Sequence, residues 1–238
     1  LNLDRVQSIL GGGLVVEAVA RHVGADEILT ASEGLREGVA RNIEGNELPT
    51  IEDMRRAAIA HLSDRLPADE RERIRHLTVL AQALHSALRA ERETLEVLID
   101  AATLLALGGS LDFYSRGARA SDVVLASGIP GYSHRDVARV AAVLRLLERE
   151  DATLTSLRPL VTSEERGPLR RCAALLRLAD AVLRRTPLDC AHEIEVATDG
   201  KNVTVHVPVW PNRTADDVTA QLSRLFDSNV TISARAHP

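Results

Sequence analysis

From about residue 71 onward, apolar positions return every three or four residues. Ile74, Leu77, Ala81, Leu84 and Leu88 fall on one face of a helix, and Leu95, Leu98, Ala102 and Leu105 repeat the pattern on the next segment. A pair of antiparallel helices is the simplest arrangement of the two stripes. Val137, Val140, Leu144 and Leu147 form a further stripe behind the N-cap pair Ser133 and Asp136. The most regular stripe is Leu169, Cys172, Leu176, Ala179 and Leu183, with a helix start placed at Ser163, Glu164 and Glu165, where acidic side chains suit the positive end of the helix dipole. Upstream, Thr50 with Asp53 caps a helix running toward Leu66, with Ile51, Met54, Ala58 and Leu62 on one side, and Pro67 ends it. VVLASGI, residues 123–129, predicts a short helix before the turn IPGYS.

The two ends of the chain have a different texture. LVVEAVARHV, residues 14–23, carries apolar side chains on nearly every face and predicts a buried helix after the triplet Gly11, Gly12, Gly13. EILTASEGLREGVARNI then predicts a short strand-like piece, a turn and a helix start at Gly34, followed by EGNELPT as a linker. Beyond Pro187, HEIEVAT and NVTVHVPV alternate and are rich in β-branched residues, and the turn residues Asp199, Gly200 and Lys201 join them as a hairpin. A helix from about Ala215 to Phe226 and a last strand, NVTISAR, complete a ββαβ unit. The chain therefore reads as mainly α: a short N-terminal piece over 1–45, a helical bundle over 46–187 and a small α+β unit over 188–238.

Composition supports a helical core. Of the 238 residues 45% are hydrophobic but only 2% are aromatic, so Leu, Val, Ile and Ala must fill the interior. The formal charge of -5, from 29 basic and 34 acidic residues mixed along the chain, gives no global footprint for nucleic acid or an anionic membrane. No stretch reaches the roughly 18 consecutive apolar residues of a membrane span, and the N-terminus has no secretory signal pattern, so a cytoplasmic setting is expected. Cys172 and Cys190 give neither a disulfide framework nor a metal-ligand spacing.

Common catalytic motifs are absent: there is no phosphate-binding GxxxxGK[ST], no GxSxG, no HExxH and no CxxC. The Gly11, Gly12, Gly13 triplet leaves two readings open, since glycine permits both a backbone cradle for phosphate and the close packing of two helices, and spacing favours packing.

The order of the segments resembles a known family. RVQSILGGGLVVEAVARHVGADEILTASEGLREGVARNI is similar to the end of the actin-like phosphatase domain in the exopolyphosphatase and guanosine pentaphosphate phosphohydrolase family (Ppx/GppA). SEGLREG is the most specific part, with Ser32, Arg36 and Glu37 in an interdomain motif. RHLTVLAQALHSAL, AATLLALGG, IPGYSHRD and LRRCAALLRLADAVLRR resemble the HD-type helical domain of longer family members, and the ββαβ unit fits as well. The resemblance implies an HD-like bundle after the tail of an actin-like (ribonuclease H-like) lobe. It also implies a parent hydrolase acting on polyphosphate or pppGpp, with Mg2+ in the full-length parent and no cofactor in this chain.

The departures carry as much meaning. An HD domain binds metal through a histidine, an adjacent His-Asp pair and a later Asp, because imidazole and carboxylate together activate water on a metal ion. The resemblance puts Ala106 and Leu107, within LLALGG, where that pair would stand. His76 stands where a first histidine could fall, and Asp180 keeps the late acidic position. These cannot form a metal cage, and Asp180 is expected either to cap or to bridge within the bundle, an arginine being one candidate partner. Arg116 and Arg119, in RGARAS, take positions where family histidines often follow, and arginine pairs bidentately with phosphate, so both are candidates for one wall of a polyphosphate channel. The chain is accordingly expected to be inactive alone, its catalytic lobe lying upstream of Leu1, and to serve in channel formation, dimerisation as a homodimer, or bracing. The alternative is a noncatalytic adaptor or nucleotide-sensing module on a degenerate HD scaffold.

Overall fold

The structure is a computed structural model and describes residues 3–28, 36, 39, 49–209 and 216–234. The chain divides into two compact units, residues 1–48 and 49–238. In the first, helix α1 (Leu3–Val23) begins well before the glycine triplet. Gly11, Gly12 and Gly13 thus lie inside a helix, where their amides belong to the helical ladder rather than to a loop around phosphate, and a Cβ added at any of them meets nothing within 4 Å. The expectation that residues 14–23 are buried is corrected: Leu10, Leu14, Val15, Val16, Val19 and Val23 are each more than half exposed. Periodicity reports which side chains are apolar, and with apolar residues on almost every face no single packing layer could cover them. The strand-like piece and turn expected near residue 30 lie outside the described residues.

The second unit is mainly helical. Its helices are α2 (Ile51–Ser63), α3 (Ala68–Ala87), α4 (Leu95–Gly109), α5 (Arg116–Ala126), α6 (His134–Glu148) and α7 (Arg166–Leu183). Strands β1 (Glu195–Asp199) and β2 (Asn202–Val207), helix α8 (Asp216–Phe226) and strand β3 (Asn229–Ala234) complete it. No helix among the described residues is long and apolar enough to cross a membrane.

The expected caps form. The Thr50 hydroxyl accepts the Asp53 amide at 3.1 Å, and Ser133 with Asp136 makes a reciprocal capping box at the start of α6. Pro67, expected to end α2, stands one residue before α3, since its missing N–H costs nothing at a helix start. The first turn of α7 begins at Arg166, beyond the expected Glu164 and Glu165, because the Glu165 carboxylate instead accepts the Thr162 amide at 2.9 Å and closes the preceding turn. The helix expected over VVLASGI starts earlier and ends sooner: α5 begins at Arg116, so RGARAS is helical, and it stops at Ala126 within VVLASGI.

α7 is the axis of the core. All five residues of its predicted stripe are at most 1% exposed, and Ala173, Ala174, Leu175, Leu178 and Val182 on its other faces are buried too. It packs against α3, α4 and α6, and against α8 on another side. Leu, Val and Ala make the buried cluster, as the scarcity of aromatics requires.

β1 and β2 form the expected antiparallel hairpin, with Gly200 taking the positive φ of +59° that the turn needs. β3 lies parallel to β2 on its other side, reached through α8, in register Val203 to Val230 and Val205 to Ile232. Val203, Val205 and Val207 alternate inward and join the helical core with Leu222. Arg177 on α7 adds a polar tie: it donates to the Leu147 and Leu146 carbonyls at the end of α6, at 2.6 and 2.8 Å, and to Gln221 on α8 at 3.0 Å. The sheet and α8 therefore share one core with the bundle.

Helix α5 is held between α4 and α6 at two glycines. A Cβ built on Gly108 would lie 1.8 Å from the Arg116 carbonyl oxygen, and one on Gly117 would lie 2.4 Å from that of Leu144. Gly109, its neighbour in LLALGG, faces open space. Gly108→Ala should therefore lower unfolding free energy by about 2–4 kcal/mol, whereas Gly109→Ala should leave it unchanged or raise it by about 0.5–1 kcal/mol. Urea denaturation of the two variants checks the contrast.

Candidate functional site

The last turn of α4, the start of α5 and the last turns of α7 converge where LLALGG ends. Leu104 and Leu105 are buried as expected, while Leu107 is half-buried and packs on the edge of the core. Ala106 and Asp180, which the resemblance assigns to one metal centre, do line one small cavity of about 20 Å³, together with Glu70, Arg73 and Arg184. The structure thus brings these two positions together.

Asp180 is only 6% exposed, so its charge requires partners within the fold. Arg116, reaching from the first turn of α5, donates through Nη2 to Oδ2. Arg184, one turn further along, donates through Nε to Oδ1 and Oδ2 at 3.0 and 3.1 Å. The two guanidinium groups stack near the Phe113 ring, at 4.7 Å for Arg184 and 5.7 Å for Arg116, so the aromatic face supports both cations. The expected bridge from Asp180 to an arginine is present, and it is double.

That bridge changes the reading of Arg116. Its guanidinium is engaged with Asp180 and with the Phe113 carbonyl, and the side chain is mostly buried. Arg116 does not stand as a free cation on a channel wall. Arg119 is exposed, 3.8 Å from Asp122. Arg36 is helical and exposed, while Ser32 and Glu37 lie outside the described residues.

The residues do not fit a metal ion. Ala106 and Leu107 offer no donor atom, both Asp180 oxygens accept from guanidinium, and His76 lines a separate pocket with His192, Ile194 and Val196. Among the described residues, no group of three or more His, Cys, Asp or Glu side chains is arranged to hold a metal.

A second constellation escaped the reading of the sequence. Asp100, Tyr132 and Arg55 border a cleft of about 260 Å³ between α2 and α4, with Ile59, Ile99 and Thr103 as apolar or neutral wall. Gly131 turns the chain at a φ of +82°, presenting Tyr132. Arg55 donates to the Gly131 carbonyl at 2.8 Å and to Asp136 at 2.7 Å, with its guanidinium 4.8 Å from the Tyr132 ring centre. Burial pushes the Asp100 carboxyl up to about 6, and the Tyr132 hydroxyl and Arg55 charge offset only part of that rise. Burial and then the nearby Asp100 charge push the Tyr132 phenol well above its ordinary range. The cleft therefore holds a carboxyl that changes charge near neutrality beside a phenol that stays protonated. Its visible signal was Asp100, an acidic residue set inside the apolar run LEVLIDAATLLALGG one turn after Glu96.

Comparison with models of known protein families finds no match, and comparison with curated proteins finds no significant similarity.

Both constellations predict measurable behaviour. Asp180→Ala leaves two guanidinium groups without their carboxylate and should cost about 2–4 kcal/mol, part of which Arg116→Met in the same chain should restore; chemical denaturation of the single and double variants decides. For Asp100, the folded-state pKa lies above the ordinary carboxylate value of 3.8, so the folded state binds the proton more tightly. Its contribution to stability is complete below about pH 4 and is lost as pH rises through about 6. Asp100→Asn should remove on the order of 2 kcal/mol of that pH-dependent loss between pH 4 and 7, measured as the difference between the variant and parent stability profiles.

Proposed function

We propose that this chain is the non-hydrolytic C-terminal region of an exopolyphosphatase-like phosphohydrolase, and that it braces a catalytic actin-like domain and supports dimerisation. The observation that carries the reading is the clamp on Asp180: where the resemblance would have a metal held by histidine and aspartate, a carboxylate lies between Arg116 and Arg184 beside Ala106. A guanidinium there neutralises the carboxylate and fixes helix positions, but it cannot lower the pKa of a water as a metal does. The helical region then contributes shape and rigidity, and the family's phosphate-holding loops and water-activating glutamate belong to its actin-like domain.

Bracing is also the role to which the rest of the unit is suited. α7 buries side chains from Leu169 to Leu183 and is tied by Arg177 to the end of α6 and to α8, so force applied to one end of the bundle reaches the sheet through packed side chains. Arg119, exposed on α5, is the remaining arginine of the pair that could meet a polyanion.

The purified chain should release phosphate from polyphosphate or pppGpp only at background rates in the presence of Mg2+. Appreciable turnover would refute the reading, as would a stoichiometric transition metal that is lost on Asp180→Ala.

A further inference from the structure

Between the end of α6 and the start of α7 the chain folds around a cleft of about 310 Å³ that no part of the proposed function uses. Arg158, Arg166 and Arg170 line it. Two carboxylates also stand there, yet both are already matched: Glu150 pairs with Arg170 at 3.3 Å, and Asp151 pairs with Arg149 at 3.2 Å. Arg149 and its neighbours hold the Asp151 carboxyl below its usual range. Arg158 and Arg166 have no ion-pair partner among the described residues, and the Arg166 Nε is buried with no hydrogen-bond acceptor. A buried donor without an acceptor is costly, and Arg158 and Arg166 add positive charge to the cleft that its two carboxylates, paired with Arg170 and Arg149, do not offset. This local excess of positive charge occurs in a chain whose net charge is -5.

The surroundings narrow the anion. Arg166 opens an 18-residue helix, so the positive end of the helix dipole adds to the guanidinium charge. Thr153 and Thr155 place side chains that can donate hydrogen bonds on the rim, whereas Leu146 and Leu154 are buried residues that form an apolar floor. Guanidinium forks with hydroxyl donors suit the several oxygens of a phosphate group, and the floor offers contact to an organic body. The volume exceeds that of an inorganic phosphate alone.

We propose that this cleft is a binding site for a small phosphomonoester, its phosphate held by Arg158 and Arg166 with Arg170 at the edge, and its organic part resting on Leu146 and Leu154. The site is separate from the Asp180 clamp and does not rest on the proposed relation to exopolyphosphatases.

Calorimetric titration of the full chain at low ionic strength, with phenyl phosphate, inorganic phosphate and benzoate as probes, tests it. Phenyl phosphate should bind saturably at one site, inorganic phosphate about tenfold more weakly, and benzoate more weakly than phenyl phosphate. Arg158→Gln and Arg166→Gln should each weaken phenyl phosphate by about tenfold or more, while Arg75→Gln, exposed on α3, should leave it unchanged. Arg158 is exposed, so its variant should melt like the parent and keeps the test decisive even if Arg166→Gln fails to fold. Absence of saturable binding, undiminished binding in Arg158→Gln, or benzoate binding as tightly as phenyl phosphate would overturn the proposal.

Discussion

A charge on a buried helix must be neutralised within the fold, and much of the helical unit is arranged around that constraint. α7 is surrounded by α3, α4, α6 and α8, so the side chains it buries are apolar with one exception. Asp180 is the acidic exception, 6% exposed. Hydration lost by its carboxylate is replaced by two guanidinium groups, one from α7 itself and one from α5. The second of these fixes where α5 can begin. Arg116 reaches Asp180 only if the start of α5 lies against the end of α4, and the contact of Gly108 with the Arg116 carbonyl leaves space for no side chain between them. The glycine and the ion pair therefore specify the same close crossing.

Much of this architecture was legible in the sequence, since helical stripes, caps and strand alternation are local signals. The stripe on α7, the capping box at Ser133 and the hairpin at Gly200 are each set by residues within a few positions of one another. The bridge at Asp180 was legible as a need for an arginine, because a carboxylate in an apolar stripe cannot remain unpaired. Its main cross-helix partner was not legible, because Arg116 is 64 residues away in the chain. The buried character expected for α1 failed for a related reason: apolarity along a segment says nothing of what covers it. Asp100 shows the same limit from the other side, as its partners Tyr132 and Arg55 come from a turn and a different helix.

The two polar constellations of the bundle differ in kind. At Asp180 one carboxylate is held in close contact by two guanidinium groups, and the cavity beside them, about 20 Å³, has room for about one water. At Asp100 the carboxyl is raised by burial while Arg55 is turned toward Asp136 and the Gly131 carbonyl, so the stronger ion pair forms next door and the cleft stays open. The first arrangement fixes helix positions; the second leaves a titratable group facing space that a ligand could fill.

Arginine serves three purposes here, and its partners separate them. Arg177 is half-buried and gives its donors to helix-end carbonyls, where the negative end of α6 favours a cation. Arg116 and Arg184 neutralise a carboxylate and stack on Phe113. Arg158 and Arg166 do neither, and Arg166 stands at the positive end of α7, where a cation is least favoured. A position that is electrostatically unfavourable and lacks a counter-charge contributes nothing to folding by its charge. Its charge acts favourably only when an anion is present, which is the physical distinction between an arginine that builds a fold and one that awaits a ligand.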